Sequence, residues 1–108
     1  MAEYPCPSCG YLVFDEEPGS CDICEVCGWE DDLSQLRFAT MGGGANQADL
    51  VASQQQFLAA NRADPDRRRD PEWRPLDLHI DRVEVPEPGR DYGMTYAHDR
   101  TAYYYWRR

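Results

Sequence analysis

Cys6 and Cys9 in CPSCG and Cys24 and Cys27 in CEVCG repeat a single turn, with fourteen residues between Cys9 and Cys24. A CxxC turn presents two sulfurs on one side. The glycine after it permits the backbone that aims N–H groups at those sulfurs. Two such turns supply four thiolates to one tetrahedral ion, and a sphere of four thiolates leaves no open position for water or substrate. The expected ligand set is therefore Cys6, Cys9, Cys24 and Cys27, and the expected ion is structural Zn2+.

The fifth cysteine, Cys21, offers CDIC as a rival second pair. Cys24 is followed by Glu25, whereas Cys27 is followed by Gly28, so the glycine selects CEVC and leaves Cys21 outside the sphere. A redox-sensitive thiol or an exchanging fifth ligand stays open as its alternative role. An odd number of cysteines at CxxC spacing argues for metal over a disulfide framework. Iron competes with zinc for any four-thiolate tetrahedron. In rubredoxin-like carriers, however, the knuckles lie much farther apart in sequence, and the long chain after Cys27 would be surplus.

A chain of 108 residues fits one domain, and Val, Ile, Leu and Phe are sparse in it. A metal staple offsets that shortage, since structural zinc contributes on the order of 10 kcal/mol of folding free energy to small modules. No run of apolar residues is long enough to span a bilayer, and MAEYPCPSCG lacks the basic and apolar regions of a signal peptide, so a cytoplasmic protein is expected.

Charge is divided unevenly. Residues 1–36 hold nine of the twenty acids and no Arg or Lys, while all eleven cations, every one an arginine, lie in residues 37–108. Four thiolates on a divalent ion make the first half more negative still. Such a surface disfavours nucleic acid, whose binding depends on Lys and Arg, and suits a basic protein partner. Glu30, Asp31 and Asp32 are the candidate acidic contacts. A solvated acidic turn is the plain alternative.

Along the chain, YLVF at 11–14 reads as a strand leaving the first knuckle, and DEEPGS as the turn of a hairpin that joins the two knuckles. Trp29 is expected beside the metal site, and Leu33 to Met41 holds one short helical turn. After Gly42–Gly44, Asn46 reads as an N-cap for a helix to about Arg62, with Leu50, Val51, Phe57 and Leu58 on its apolar face. Three prolines and dense charge make Asp64 to Pro75 a linker anchored by Trp73. Leu76, Leu78 and Ile80, then Val83 and Val85, alternate as a bulged strand. TAYYYW at 101–106 is a last β-prone segment. Ala102, Tyr104 and Trp106 share one side of it, and Tyr103 and Tyr105 on the other are candidate partner contacts.

Catalytic machinery is not legible. His79 and His98 have no marked partner, the Arg67–Arg69 run is flanked by acids that cancel its field, and no phosphate loop or Ser/His/Asp set is present. The chain reads as a non-enzyme.

YPCPSCGYLVF, then ICEVCGWEDD, then GGGANQADLVASQQQF together resemble the bacterial cysteine-rich CPCC family over about the first 60 residues. Ser8 stands where the third residue of the CPCC signature is cysteine. The resemblance implies a small zinc-ribbon-like protein and a role neutralising a bacterial toxin; with the acidic half and the Tyr-rich segment as binding surface, the expected function is non-catalytic protein binding of an immunity type. The expected fold is a single α+β domain over 1–108. It comprises a zinc ribbon at 1–36, one amphipathic helix at 46–62, and C-terminal strands at 76–106. A four-thiolate redox or regulatory protein, or a transcription-associated zinc ribbon, is the alternative function. The oligomeric state is left open.

Overall fold

A computed structural model describes residues 4–91. Strand β1 (Tyr4–Pro5) pairs antiparallel with β2 (Leu12–Phe14), Tyr4 opposite Phe14 and Pro5 opposite Leu12, with a bulge between the two pairs. The first knuckle is the tip of this hairpin. Cys6 N–H donates to Tyr11 O at 2.9 Å, and Gly10 N–H to Cys6 O at 2.7 Å. Eighteen residues on, the turn recurs: Cys24 N–H donates to Trp29 O at 2.7 Å, Gly28 N–H to Cys24 O at 2.9 Å, and Ile23 bridges Glu30. Each knuckle thus closes its own hairpin, which corrects the expectation of one hairpin running between the knuckles. Pro18 and Gly19 do form a turn. Beyond it, the chain pairs forward with Asp31, through Cys21 N–H to Asp31 O and Asp31 N–H to Asp22 O, and not back with YLVF.

Helix α1 (Leu33–Arg37) begins at Asp32, whose side chain accepts from the Ser34 and Gln35 N–H groups. The glycine loop folds back over this helix start. Fully buried Gln35 donates through Nε2 to the carbonyls of Met41 and Asn46 and accepts at Oε1 from Asn46, while Asn46 also bridges both backbone groups of Glu30. Asn46 is therefore a clamp and not an N-cap. Helix α2 (Leu50–Ala60) starts three residues later than expected, on Asp49, which accepts from Ala52 N–H at 2.7 Å. It ends at Asn61 in the left-handed region, a common helix stop. Leu50, Gln54 and Phe57 are its buried residues, and Leu58 is largely exposed.

Residues 64–76 act as a strap over the first knuckle, where the sequence suggested a linker. Leu12 N–H donates to Arg68 O, Tyr11 bridges Arg69, and Asp70 N–H donates to Gly10 O. Trp73 Nε1 and Gln54 Nε2 both donate to Pro7 O, and Gln54 Oε1 receives Leu76 N–H. The Arg69 guanidinium lies over the rings of Tyr11 (5.1 Å), Phe57 (5.6 Å) and Trp73 (4.6 Å), and its Nε donates to Cys9 O. Prolines and charge misled because this segment pairs its backbone with a turn and sets the Arg69 cation among three aromatic rings.

The expected strand over 76–85 is absent. Leu76 is buried, but 77–81 closes as a turn through Asp81 N–H to Asp77 O, and Leu78, Ile80 and Val85 are exposed. Asp77 accepts His79 N–H, and Asp81 accepts Asp77 N–H and the Arg74 guanidinium. These local side-chain acceptors capture the backbone donors a sheet ladder would need. The remainder of the expected C-terminal strands, 92–106, lies outside the described residues.

One cluster of buried residues unites Cys6, Cys9 and Cys24 with Tyr11, Phe14, Trp29, Leu36, Leu50, Phe57 and Leu76. Three of the four sulfur-bearing residues of the knuckles thus belong to the buried core, in one cluster with the aromatic residues of both knuckles and of α2, and Cys27 packs against it.

Candidate metal centre

The four sulfurs of Cys6, Cys9, Cys24 and Cys27 all lie within 4.8 Å of one another, the only such group of metal-ligand side chains among the described residues. Two pairs cross between the knuckles at close range: Cys6 Sγ to Cys27 Sγ is 3.6 Å and Cys9 Sγ to Cys24 Sγ is 3.7 Å. A tetrahedron with bonds of about 2.3 Å has edges of about 3.8 Å. A disulfide needs sulfurs about 2.05 Å apart, and all five cysteines here are free. The donor set and its spacing fit a four-coordinate metal ion.

Local structure explains how the knuckles aim their sulfurs. Gly10 and Gly28 take φ of +81° and +83°, the left-handed region that closes each turn. In the second knuckle, the N–H groups of Val26 and Cys27 point at Cys24 Sγ, at 3.4 and 3.5 Å. Cys6, Cys9 and Cys24 are buried, while Cys27 is half-buried. Within this cage the thiols perturb one another. Burial above all pushes Cys6 up, the contact with Cys24 pushes Cys9 up, and contacts led by Cys27 pull Cys24 down. At Cys27 the Cys24 contact pushes upward, but Cys6 and Cys9 together outweigh it and the net shift is down. Four adjacent thiolates cannot all be ionised without a compensating cation, and a divalent ion supplies that charge.

Cys21 stays outside the cage, exposed, with φ of +65° and its thiol directed to Gly19 O at 3.8 Å.

The acidic candidates separate into different roles. Asp31 is 2% exposed and accepts from Gly19 N–H, Ser20 N–H and Ser20 Oγ–H, so its carboxylate organises the turn before the second knuckle and is closed to a partner. Desolvation raises its pKa against the pull of those donors. Asp32 caps α1 and also holds Ala45 N–H. Although partial burial works against it, its donors hold its carboxyl below the usual range. Glu30 is half-buried, its backbone held by Asn46. Among the described acids of this half, those that face solvent are Asp15, Glu16, Glu17, Asp22 and Glu25, the last paired with Arg67; Asp15, Asp22 and Glu25 share a recess with Ile23, which is 63% exposed. The negative charge of residues 1–36 pointed to this half of the chain, but which acids turn inward depended on donors that only folding assembles. Tyr103 and Tyr105 lie outside the described residues.

The sequence profile described as Cysteine-rich CPCC matches residues 4–75. The chain belongs to the cysteine-rich CPCC family. The match reaches past the sixty residues that carry the visible resemblance, and it takes in the strap, whose Trp73, Arg69 and Asp70 close over the first knuckle. Ser8, at the third signature position, is fully buried, and its hydroxyl pairs with Ser53 Oγ on α2. That position ties knuckle to helix in this CPCC protein, apart from the four-sulfur set. None of the curated proteins compared matches the chain. Among the described residues no helix is long and apolar enough to cross a membrane.

Proposed function

We propose that this CPCC-family protein is a zinc-stabilised, non-catalytic protein-binding module whose partner is basic. The convergence of four cysteine sulfurs inside the core carries this reading: a closed thiolate sphere packed among Tyr11, Trp29 and Phe57 suits a structural ion. The exposed acids Asp15, Glu16, Glu17 and Asp22 favour a cationic partner through electrostatic steering, and the fixed knuckles keep that surface rigid. Tyr103 and Tyr105 would add aromatic anchors. In its narrower form, the partner is a bacterial toxin and the protein neutralises it.

Elemental analysis of freshly purified protein tests the metal: one zinc per chain in a colourless sample is expected, and a red iron protein would replace this reading with an electron-transfer one. For the partner, the protein is co-purified from its native host and the associated chain identified. A basic protein released by Glu16→Lys/Asp22→Lys supports the proposal. Failure of any neighbouring gene product to be neutralised on co-expression removes the immunity form.

A further inference from the structure

The four sulfurs of the cage are not equally sheltered. Cys6, Cys9 and Cys24 are buried, whereas Cys27 is half-buried, with exposed Glu25 and Gly28 beside it in sequence. A Cβ at Gly28 would meet nothing within 4 Å, so the backbone next to Cys27 has room to shift. Hydrogen bonding separates the sulfurs as well. The Val26 and Cys27 N–H groups both point at Cys24 Sγ, which stabilises that thiolate and lowers its nucleophilicity. Among the described residues no N–H donates to Cys27 Sγ, whose cross-knuckle neighbour, Cys6 Sγ, is 3.6 Å away.

We propose that Cys27 is a peroxide-sensitive site: oxidation begins at its sulfur, ends in a Cys6–Cys27 disulfide and releases the metal. This rests on the metal reading above, because a divalent ion in the cage keeps the sulfurs deprotonated and the thiolate is the form that attacks. It does not depend on a protein partner. The Cys27 thiolate attacks one oxygen of hydrogen peroxide, the O–O bond breaks, and a sulfenic acid forms as hydroxide leaves and takes up a proton. The Cys6 thiolate then attacks the Cys27 sulfur, the S–O bond breaks, and the second hydroxide also leaves as water. The sulfur pair loses two electrons, and one peroxide with two protons becomes two waters. Closing the pair to a bond of about 2.05 Å needs an approach of about 1.5 Å, which the unblocked second knuckle can supply. Cys9 and Cys24 alone are half of the donor set, so the ion is lost. Cys21 is exposed but outside the cage, where no bound ion favours its thiolate.

Treating the full-length zinc-loaded protein with one equivalent of hydrogen peroxide tests this, with zinc release followed by a chromogenic chelator and the cysteines mapped by mass spectrometry without reduction. One zinc released per Cys6–Cys27 disulfide is expected, with dimedone trapping the sulfenic acid on Cys27. Cys21→Ser should leave both the map and the release unchanged. A first dimedone adduct on another cysteine, a disulfide of any other pair or between two chains, zinc retained after oxidation, or a cage that peroxide leaves intact overturns the proposal. A chain that takes up no zinc fails the metal reading as well, whereas one that holds zinc and gives any of those results fails this proposal alone.

Discussion

The two knuckles share a backbone and differ in everything around it. Both have a cysteine N–H closing on the carbonyl five residues on, a glycine at φ near +80°, and a buried aromatic directly after that glycine. Around Gly10, however, the strap and α2 press close: a Cβ there would stand 2.6 Å from the Trp73 indole. At Gly28 a Cβ would meet nothing within 4 Å. One four-sulfur cage is thus held by an enclosed half and an open half. A local motif sets ligand geometry, and the elements packed on it set how easily that geometry gives way.

Ligand replacement should show the widest contrast. Cys6→Ser, at a fully buried sulfur, is expected to remove both metal and cooperative folding, forfeiting on the order of 10 kcal/mol of metal-linked stability. Cys27→Ser is expected to keep a weakened site, because this position is half-buried and water can complete the sphere. Metal content and thermal melts of the two variants would erase the distinction if they matched.

The glycines offer a cleaner separation. Gly28→Ala should cost about 1 to 2 kcal/mol, the strain of a left-handed alanine alone. Gly10→Ala carries the same strain and must also displace Trp73, for a total of about 3 to 4 kcal/mol. Urea midpoints with metal saturated measure both.

Next comes the strap itself. Gln54→Ala leaves Leu76 N–H buried without its acceptor, an expected loss of about 2 kcal/mol. Hydrogen exchange should then accelerate over 64–76 and leave residues 24–31 protected. Equal acceleration in both knuckles would mean that they form one cooperative unit.

Least in size is the pH response of the second knuckle's flank. Asp32 has a depressed folded pKa, so its contribution is present above the ordinary carboxylate value of about 3.9 and is lost as pH falls through the lower folded value. The gap between wild type and Asp32→Ala, about 1 kcal/mol at neutral pH as for other helix caps, should therefore close in strong acid. Asp31 has the opposite sign: its raised pKa favours the fold below that ordinary value, and the benefit fades as pH rises through the folded one. Denaturation midpoints of Asp32→Ala and Asp31→Asn against pH should therefore diverge in opposite directions from wild type.

The ligand set was legible because CxxCG is a local device: sulfur spacing and glycine position are fixed within five residues, and the second glycine separated Cys27 from its rival pairing. The Pro18-Gly19 turn was legible for the same reason. The strand expected at 76–85 failed because alternation reports only which side chains are apolar, while Asp77 and Asp81 had already engaged the backbone. Asn46 looked like a cap because nothing nearby reveals that Gln35 and Glu30 would claim it.

By itself, then, the sequence determined that four thiolates would converge, since turns are closed by neighbours along the chain. Only the tertiary structure decided that a proline- and arginine-rich stretch would seal one knuckle and leave the other open. That outcome depends on partners such as Arg69 and Cys9, sixty residues apart, whose contact exists only once the chain has folded.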